Sequence, residues 1–307
     1  MSNKNLIKKN NFFCKRNNYF SIFLFHGVIR KNEFLIRNYN GKHITEKKFI
    51  SFIKHIKKYG TSLSIDEIIY NKQNNIKLPK NTFNVSFDDG FYNNYSIAAP
   101  ILDDFKINTT FYFSSDFLER NSMSWIDRIE YCFEITKKKK ISLPETKDLN
   151  LSNIQNKIKS LNKIRKIVKS DFNIDINKFV TNIFNLCDII EINSSQNIID
   201  KKISWSHVKK LRNNKLFTIG GHSHEHMPLL YYGKKDCDKQ LNKVFKLFYE
   251  KAGIKLKHFS YPEGQKIDYN KSIIKKLISR GIICSPTAIS GYNSLKSDLF
   301  NLKRVLI

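Results

Sequence analysis

Short, nearly all-apolar runs alternate with amphipathic stretches along most of this chain. Phe20 to Phe25 is such a run, ending at His26-Gly27, and it predicts a first buried strand. Phe49, Phe52, Ile53 and Ile56 then recur at helical spacing, with Thr45 as a cap and Gly60 as the stop. A short helix follows around Ile65 to Tyr70. Thr82 to Phe87 predicts a strand, Tyr92 to Phe105 a helix, and Thr109 to Phe113 a β-branched and aromatic strand. Strand, helix, strand is the rhythm of a parallel α/β sheet or barrel. In such folds chemistry gathers at the carboxyl ends of the strands.

Residues 120–200 break the rhythm. Ile154, Ile158, Leu161, Ile164, Ile167 and Val168 mark a long amphipathic helix with lysines on its other face, so this region reads as a helical insertion. The rhythm then resumes. Helices are expected over Ser204–Asn213, Cys237–Ala252 and Asn270–Arg280. Strands are expected over Leu216–Ile219, His258–Tyr261, Ile282–Cys284 and Leu302–Ile307. Residues 1–17 are polar and basic and read as a flexible arm before a domain spanning 18–307.

Composition narrows the classes. Of 307 residues, 41% are hydrophobic and 13% aromatic, which supports a sizeable core and excludes wholesale disorder. Lys plus Arg number 54 against 27 acidic residues, a net charge of +27. The lysines are spread from end to end among Asn and Ile, without an Arg-rich block or a nucleic-acid-binding motif, so no nucleic-acid partner is expected. A basic surface does suit peripheral contact with an anionic membrane. The five cysteines form no C-x-x-C pair and their count is odd, which fits reduced thiols in the cytoplasm. No run approaches the roughly 18 apolar residues that span a bilayer. Tyr19 to Phe25 follows basic residues as a signal peptide would, but it is short and lacks a small-residue cleavage site.

Two short stretches carry the candidate chemistry. Asp88 and Asp89 stand side by side at the end of a strand, before Gly90. Adjacent carboxylates are costly unless a cation or a proton is shared, although Asp-Asp-Gly is also ordinary turn chemistry. His222 and His226 are four residues apart, a spacing that lets two imidazoles grip one metal on a helical turn, although surface histidine pairs are common. Gly220-Gly221 before them permits close backbone approach or an unusual turn. One Asp and two His make a three-ligand site with room for water, and the other Asp is left over as a base. Tyr261-Pro262-Glu263-Gly264 is a strand-end turn that can aim a backbone N–H into a cavity.

Taken together and in this order, these segments resemble the polysaccharide deacetylase family, the metal-dependent carbohydrate esterases with the NodB-homology domain. Ser86 to Gly90 matches the family's Thr/Ser-Phe-Asp-Asp-Gly motif. His222, Ser223 and His226 match its His-Ser/Thr-x-x-x-His motif, and Ser260 to Gly264 partly matches its Arg-x-Pro-x-Gly turn. Phe25-His26-Gly27-Val28 is similar to the family's usual Tyr-His-Gly-Val start, and Trp205 opens a helix leading into the second motif. The match spans roughly residues 20–307.

The resemblance implies a distorted, seven-stranded (β/α) barrel. It implies a divalent metal, most commonly Zn2+, held by Asp89, His222 and His226. Asp88 would be the general base toward metal-bound water, and the backbone N–H of Glu263 would help hold the oxyanion. Tyr261, Pro262 and Trp205 are the substrate-binding candidates. Ser260 stands where the family has an arginine that partners the base, and Arg128 or Arg304 could replace it. The Glu263 carboxylate is expected to point away from the oxyanion. The family's late catalytic His has no counterpart, since no His follows His258. His26 is the candidate acid, His224 a weaker one, and return of the proton from Asp88 a third route.

The function expected is hydrolysis of the acetamide of an N-acetylated sugar, in cytoplasmic synthesis of surface polysaccharide or of a lipid-linked precursor. The same centre would serve an O-acetyl esterase or another C–N hydrolase. The missing Arg and His also allow a catalytically weak carbohydrate-binding protein.

Overall fold

The computed structural model describes residues 12–14 and 16–307. Six strands carry the frame: β1 (Tyr19–Phe25), β2 (Thr82–Phe87), β3 (Thr109–Phe113), β4 (Phe217–Gly221), β5 (Pro286–Ser290) and β6 (Leu302–Leu306). They run parallel to their neighbours in the order β5-β6-β1-β2-β3-β4. The two ends of this row are joined by single bridges, Gly221 to Phe259 and His258 to Cys284, just before β5 begins. The segment around 258–259 is therefore a seventh stave, and the ring is a distorted barrel. The strands expected at 258–261 and 282–284 contract to these bridges, since only His258 and Phe259 of the first and Cys284 of the second are bridged to a neighbouring strand.

Alternation along the strands sets the chemistry of the two faces. On the outer face Phe25 stacks on Phe87 at 5.3 Å and Phe87 on Phe111 at 5.5 Å, while Phe49 of the helix Glu46–Tyr59 packs edge-on against Phe25. The inner face is polar. Thr110 Oγ1 donates to Asn84 Oδ1, and Ser86 Oγ to the Phe23 carbonyl. Both faces are covered, so every residue of β2 is buried.

The stretch Tyr92–Phe105, read as one helix, opens with a π-helical turn at Asn94–Ala98 before Ala99–Asp104. Pro100 supplies no N–H to the regular ladder, which accounts for the wider turn before it. The 120–200 region contains the helices Trp125–Ile135, Ile154–Ser170 and Ile176–Leu186 as expected. It also holds, beyond the helices expected there, an antiparallel hairpin, Lys140–Leu143 with Lys147–Asn150. These elements share an apolar cluster of their own, including Ile129, Phe133, Leu161, Phe179 and Ile183. The N-terminal arm lies mostly outside the described residues, but Phe12, assigned to it, is buried against Phe23 and Phe52. No helix among the described residues is long and apolar enough to cross a membrane.

Candidate metal centre and active site

The polar residues converge at the carboxyl ends of β2 and β4. By strand parity Ser86 faces the barrel interior and Phe87 the helices, so Asp88 faces inward again. Asp89 would turn outward, but its backbone is left-handed, at φ 74°, and this brings its carboxylate back toward the same space. Ser223, His226 and Glu263 are left-handed too, at φ 60°, 57° and 60°. Such non-glycine conformations each cost on the order of 1 kcal/mol, and they cluster here around one cleft. Gly220 is required by close approach: a Cβ there would stand 2.5 Å from the Tyr112 ring.

Asp89, His222 and His226 each offer one ligand atom, and the three atoms lie within 4.8 Å of one another. His226 Nε2 is 2.8 Å and His222 Nε2 3.5 Å from Asp89 Oδ1. His222 Nδ1 stands 2.8 Å from the Ser260 carbonyl, which can only accept, so Nδ1 carries the proton and Nε2 presents its lone pair. Among the described residues Asp89 Oδ1 is buried without a hydrogen-bond donor, and the approach of His226 lacks hydrogen-bond alignment. One buried carboxylate oxygen and two imidazole nitrogens facing each other repel unless a cation lies among them. The donor set therefore fits a divalent metal with N and O ligands.

Asp88 is held differently. Arg304, on β6, donates Nη1 to Oδ1 at 2.8 Å and Nη2 to Oδ2 at 2.7 Å. The guanidinium is itself fixed by the Thr287 carbonyl and by Ser260 Oγ, at 2.6 and 3.0 Å. Arg304 is the partner of the carboxylate, while Arg128 instead pairs with Glu191. Burial pushes the Asp88 carboxyl up, but the guanidinium of Arg304 outweighs it and holds the group below the usual carboxylate range.

Asp88, Asp89, His222 and His226 line a cleft of about 490 Å³, together with His26, Lys42, Arg165, Tyr261 and Glu263. A larger cavity of about 870 Å³, bordered by Phe13, His55 and Tyr59, has no carboxylate in its lining. The matched residues of the chain's two motifs thus meet in one place. A family model described as polysaccharide deacetylase matches residues 75–282.

The chain belongs to the polysaccharide deacetylase family.

It is accordingly a hydrolase of C–N bonds. Solved deacetylases share its fold. A deacetylase from Streptococcus pyogenes, PplD in complex with acetate, superposes with a TM-score of 0.62 at 12% identity, covering 95% of this chain and 93% of that one. IcaB from Ammonifex degensii gives 0.59 at 14% identity, over 95% and 93%. A de-N-acetylase from Aggregatibacter actinomycetemcomitans gives 0.59 at 15%, over 94% and 95%. No curated protein matches the chain.

Three sequence assignments need correction in this polysaccharide deacetylase. Trp205 is not in the cleft: its ring packs edge-on against Phe248 at 5.1 Å and its indole N–H donates to Glu119. Pro262 does not line the cleft either, and its carbonyl closes the turn by accepting from Gly264 N at 2.7 Å. The Glu263 side chain does not point away. It lines the cleft, where Lys169 of the insertion pairs with it and overcomes the effect of burial, so its carboxyl is lowered. Tyr261 does reach the cleft, but as a wall, stacked on Tyr269 at 4.0 Å with its hydroxyl donating to the Phe300 carbonyl. His224 lies outside the cleft lining, its Nδ1 2.8 Å from Ser115 Oγ. His26 is in the cleft. Burial lowers its pKa against the opposing pull of Asp89 and Asp88, so the ring is held neutral.

Sequence reasoning missed the cleft's cations. Lys42 pairs with Asp127, which also faces Lys202, and Arg165 donates to Glu130 at 2.7 Å. Among 54 basic residues without local pattern, nothing singled these out.

Proposed function

We propose that this protein removes the acetyl group from an N-acetylated sugar by metal-assisted hydrolysis. The observation that carries the reading is the convergence of Asp89, His222 and His226 beside a separately anchored Asp88. Asp89, His222 and His226 would hold the metal. A divalent cation there, Zn2+ by the N and O character of the donors, supplies Lewis acidity toward water and toward a carbonyl oxygen. Asp88, kept ionised by Arg304, is the base that accepts a proton from the attacking water. Arg304 fixes both oxygens of that carboxylate, so the base cannot rotate away from its task. The proton then has to reach the departing nitrogen. His26 shares the cleft, and its neutral ring can relay the proton from Asp88. The backbone N–H of Glu263 is the proposed donor to the oxyanion.

The setting we propose is cytoplasmic synthesis of a surface polysaccharide or a lipid-linked precursor. The net charge of +27 supports contact with an anionic membrane there. The deciding experiment measures acetate release from N-acetylated sugars by metal-loaded protein. Asp88→Asn is expected to lower the rate by roughly 10²–10⁴-fold while metal content stays near one equivalent. Near-normal release by that variant overturns the base assignment. Release from O-acetyl esters but not from amides would move the same centre to ester hydrolysis.

A further inference from the structure

The basic residues of this chain are spread along it but not evenly. Residues 137–170 hold eleven basic residues and two acidic ones, so about a ninth of the chain carries a third of its net charge. This stretch belongs to the insertion. Lys137–Lys140 is an exposed run that leads into the hairpin. Lys159, Lys163 and Lys166 recur at four- and three-residue spacing along the helix Ile154–Ser170, opposite the buried Leu161, Ile164 and Val168. Two lysines join these pieces. Lys157 Nζ donates to the Thr136 carbonyl at 3.1 Å, and Lys163 Nζ to the Thr146 carbonyl at the hairpin turn. The run, the hairpin and the helix therefore form one continuous basic face.

Acidic residues neutralise little of it. Lys138 pairs with Asp188 and Lys140 with Asp148, but all four side chains are at least 44% exposed, so these pairs are screened and readily exchanged. Two apolar side chains stand among the lysines: Ile135, just before the run, is 44% exposed, and Ile154, at the start of the helix, 41%. All the basic residues but Arg165 are lysines, and Arg165 is turned to Glu130. Compact charges on long stems beside exposed isoleucines suit the headgroup boundary of a bilayer, where lysines attract anionic lipid and apolar side chains enter. A phosphorylated or sulfated polymer would be better met by arginine forks and has no use for the isoleucines.

We propose that this face of the insertion docks the protein on an anionic bilayer. The same helix reaches the catalytic cleft, since Arg165 lines it and Lys169 pairs with the cleft residue Glu263. Docking thus sets the cleft beside the headgroups, where a lipid-linked sugar presents its acetamide. The proposal rests on the reading of this protein as a deacetylase acting at a membrane, and assigns that contact to one face.

The test is flotation of full-length, metal-loaded protein with phosphatidylcholine vesicles, with and without about 30% phosphatidylglycerol. Binding is expected only with the anionic lipid and should fall as salt rises from about 50 to 500 mM. Lys137→Gln, Lys139→Gln, Lys159→Gln and Lys166→Gln, combined, should weaken it at least about tenfold. Lys54→Gln, Lys57→Gln, Lys209→Gln and Lys255→Gln remove the same charge from exposed positions elsewhere and should cost no more than about twofold. Ile154→Trp is expected to add a blue-shifted emission on anionic vesicles and none on dextran sulfate. No binding to anionic vesicles, equal losses in the two lysine sets, or an unshifted emission overturns the docking face. An unshifted emission with retention on dextran sulfate would assign the face to a soluble polyanion instead. Acetate release from soluble N-acetylated sugars, without vesicles, is followed in every variant and should match wild type. Docking without any release counts against the deacetylase reading alone, whereas release without docking counts against this face alone.

Discussion

Arg304 grips Asp88 through two parallel hydrogen bonds of 2.8 and 2.7 Å, although 216 positions separate them in the chain. Both side chains are buried, at 1% and 5% exposure, so this is a desolvated ion pair whose loss leaves an uncompensated charge. Arg304→Met is expected to destabilise the fold by about 3 kcal/mol or more. It should also lower kcat by roughly 10²-fold or more, because the base loses both its orientation and its ionisation. The sign of the pH effect follows from the lowered Asp88 carboxyl. Its stabilisation is present above the ordinary value of 3.8 and fades as pH falls through the depressed one. Without Arg304 the acidic limb of the kcat profile should move to higher pH. Adding Ser260→Arg to Arg304→Met brings a guanidinium from a position whose Ser260 Oγ lies 3.4 Å from Asp88 Oδ2, and should restore part of the rate. A pH–rate profile of the three proteins checks this, and an acidic limb unmoved in Arg304→Met would refute it.

The Lys169–Glu263 pair ties the insertion to the cleft. Lys169→Met leaves a bare carboxylate beside His226, and kcat/KM should fall about three- to tenfold, modest because Lys169 is partly solvated. Adding Glu263→Gln should return most of the loss. A double-mutant cycle reads the coupling, expected at about 1 kcal/mol. Additive effects would mean that the pair does not act as a unit.

Lys202 is fully buried, with its ammonium 3.3 Å from the centre of the Phe91 ring and 4.0 Å from Asp127. Burial pushes its pKa down to about 8, against the pull of Asp127. Below pH 8 both folded and unfolded chains carry the charge. Between 8 and the ordinary value of 10.5 only the unfolded chain does, so the folded state gains stability as pH rises. Relative to Lys202→Met, wild type should therefore improve by as much as about 3 kcal/mol across that window. Urea denaturation of both proteins at several pH values measures it, and parallel curves would refute the assignment.

The convergence of Asp88, Asp89, His222 and His226 was legible because they sit in contiguous runs, where strand parity and four-residue spacing turn sequence into geometry. The barrel was legible for the same reason, since β1, β2 and β3 are unbroken apolar stretches between amphipathic helices. Arg304 was only one of two candidates, because pairing across a barrel leaves no trace in local spacing. Trp205 was misplaced since an aromatic residue opening a helix reads alike whether it faces a cleft or, as here, Phe248. The hairpin at 140–150 leaves little mark on the sequence, because four-residue strands with exposed lysines resemble a loop.

The last stave of the ring also delivers the guanidinium that grips Asp88. During synthesis every metal-binding residue leaves the ribosome well before position 304. A nascent chain can thus bring Asp89, His222 and His226 together early, yet Asp88 gains its partner only when the circle of strands is complete.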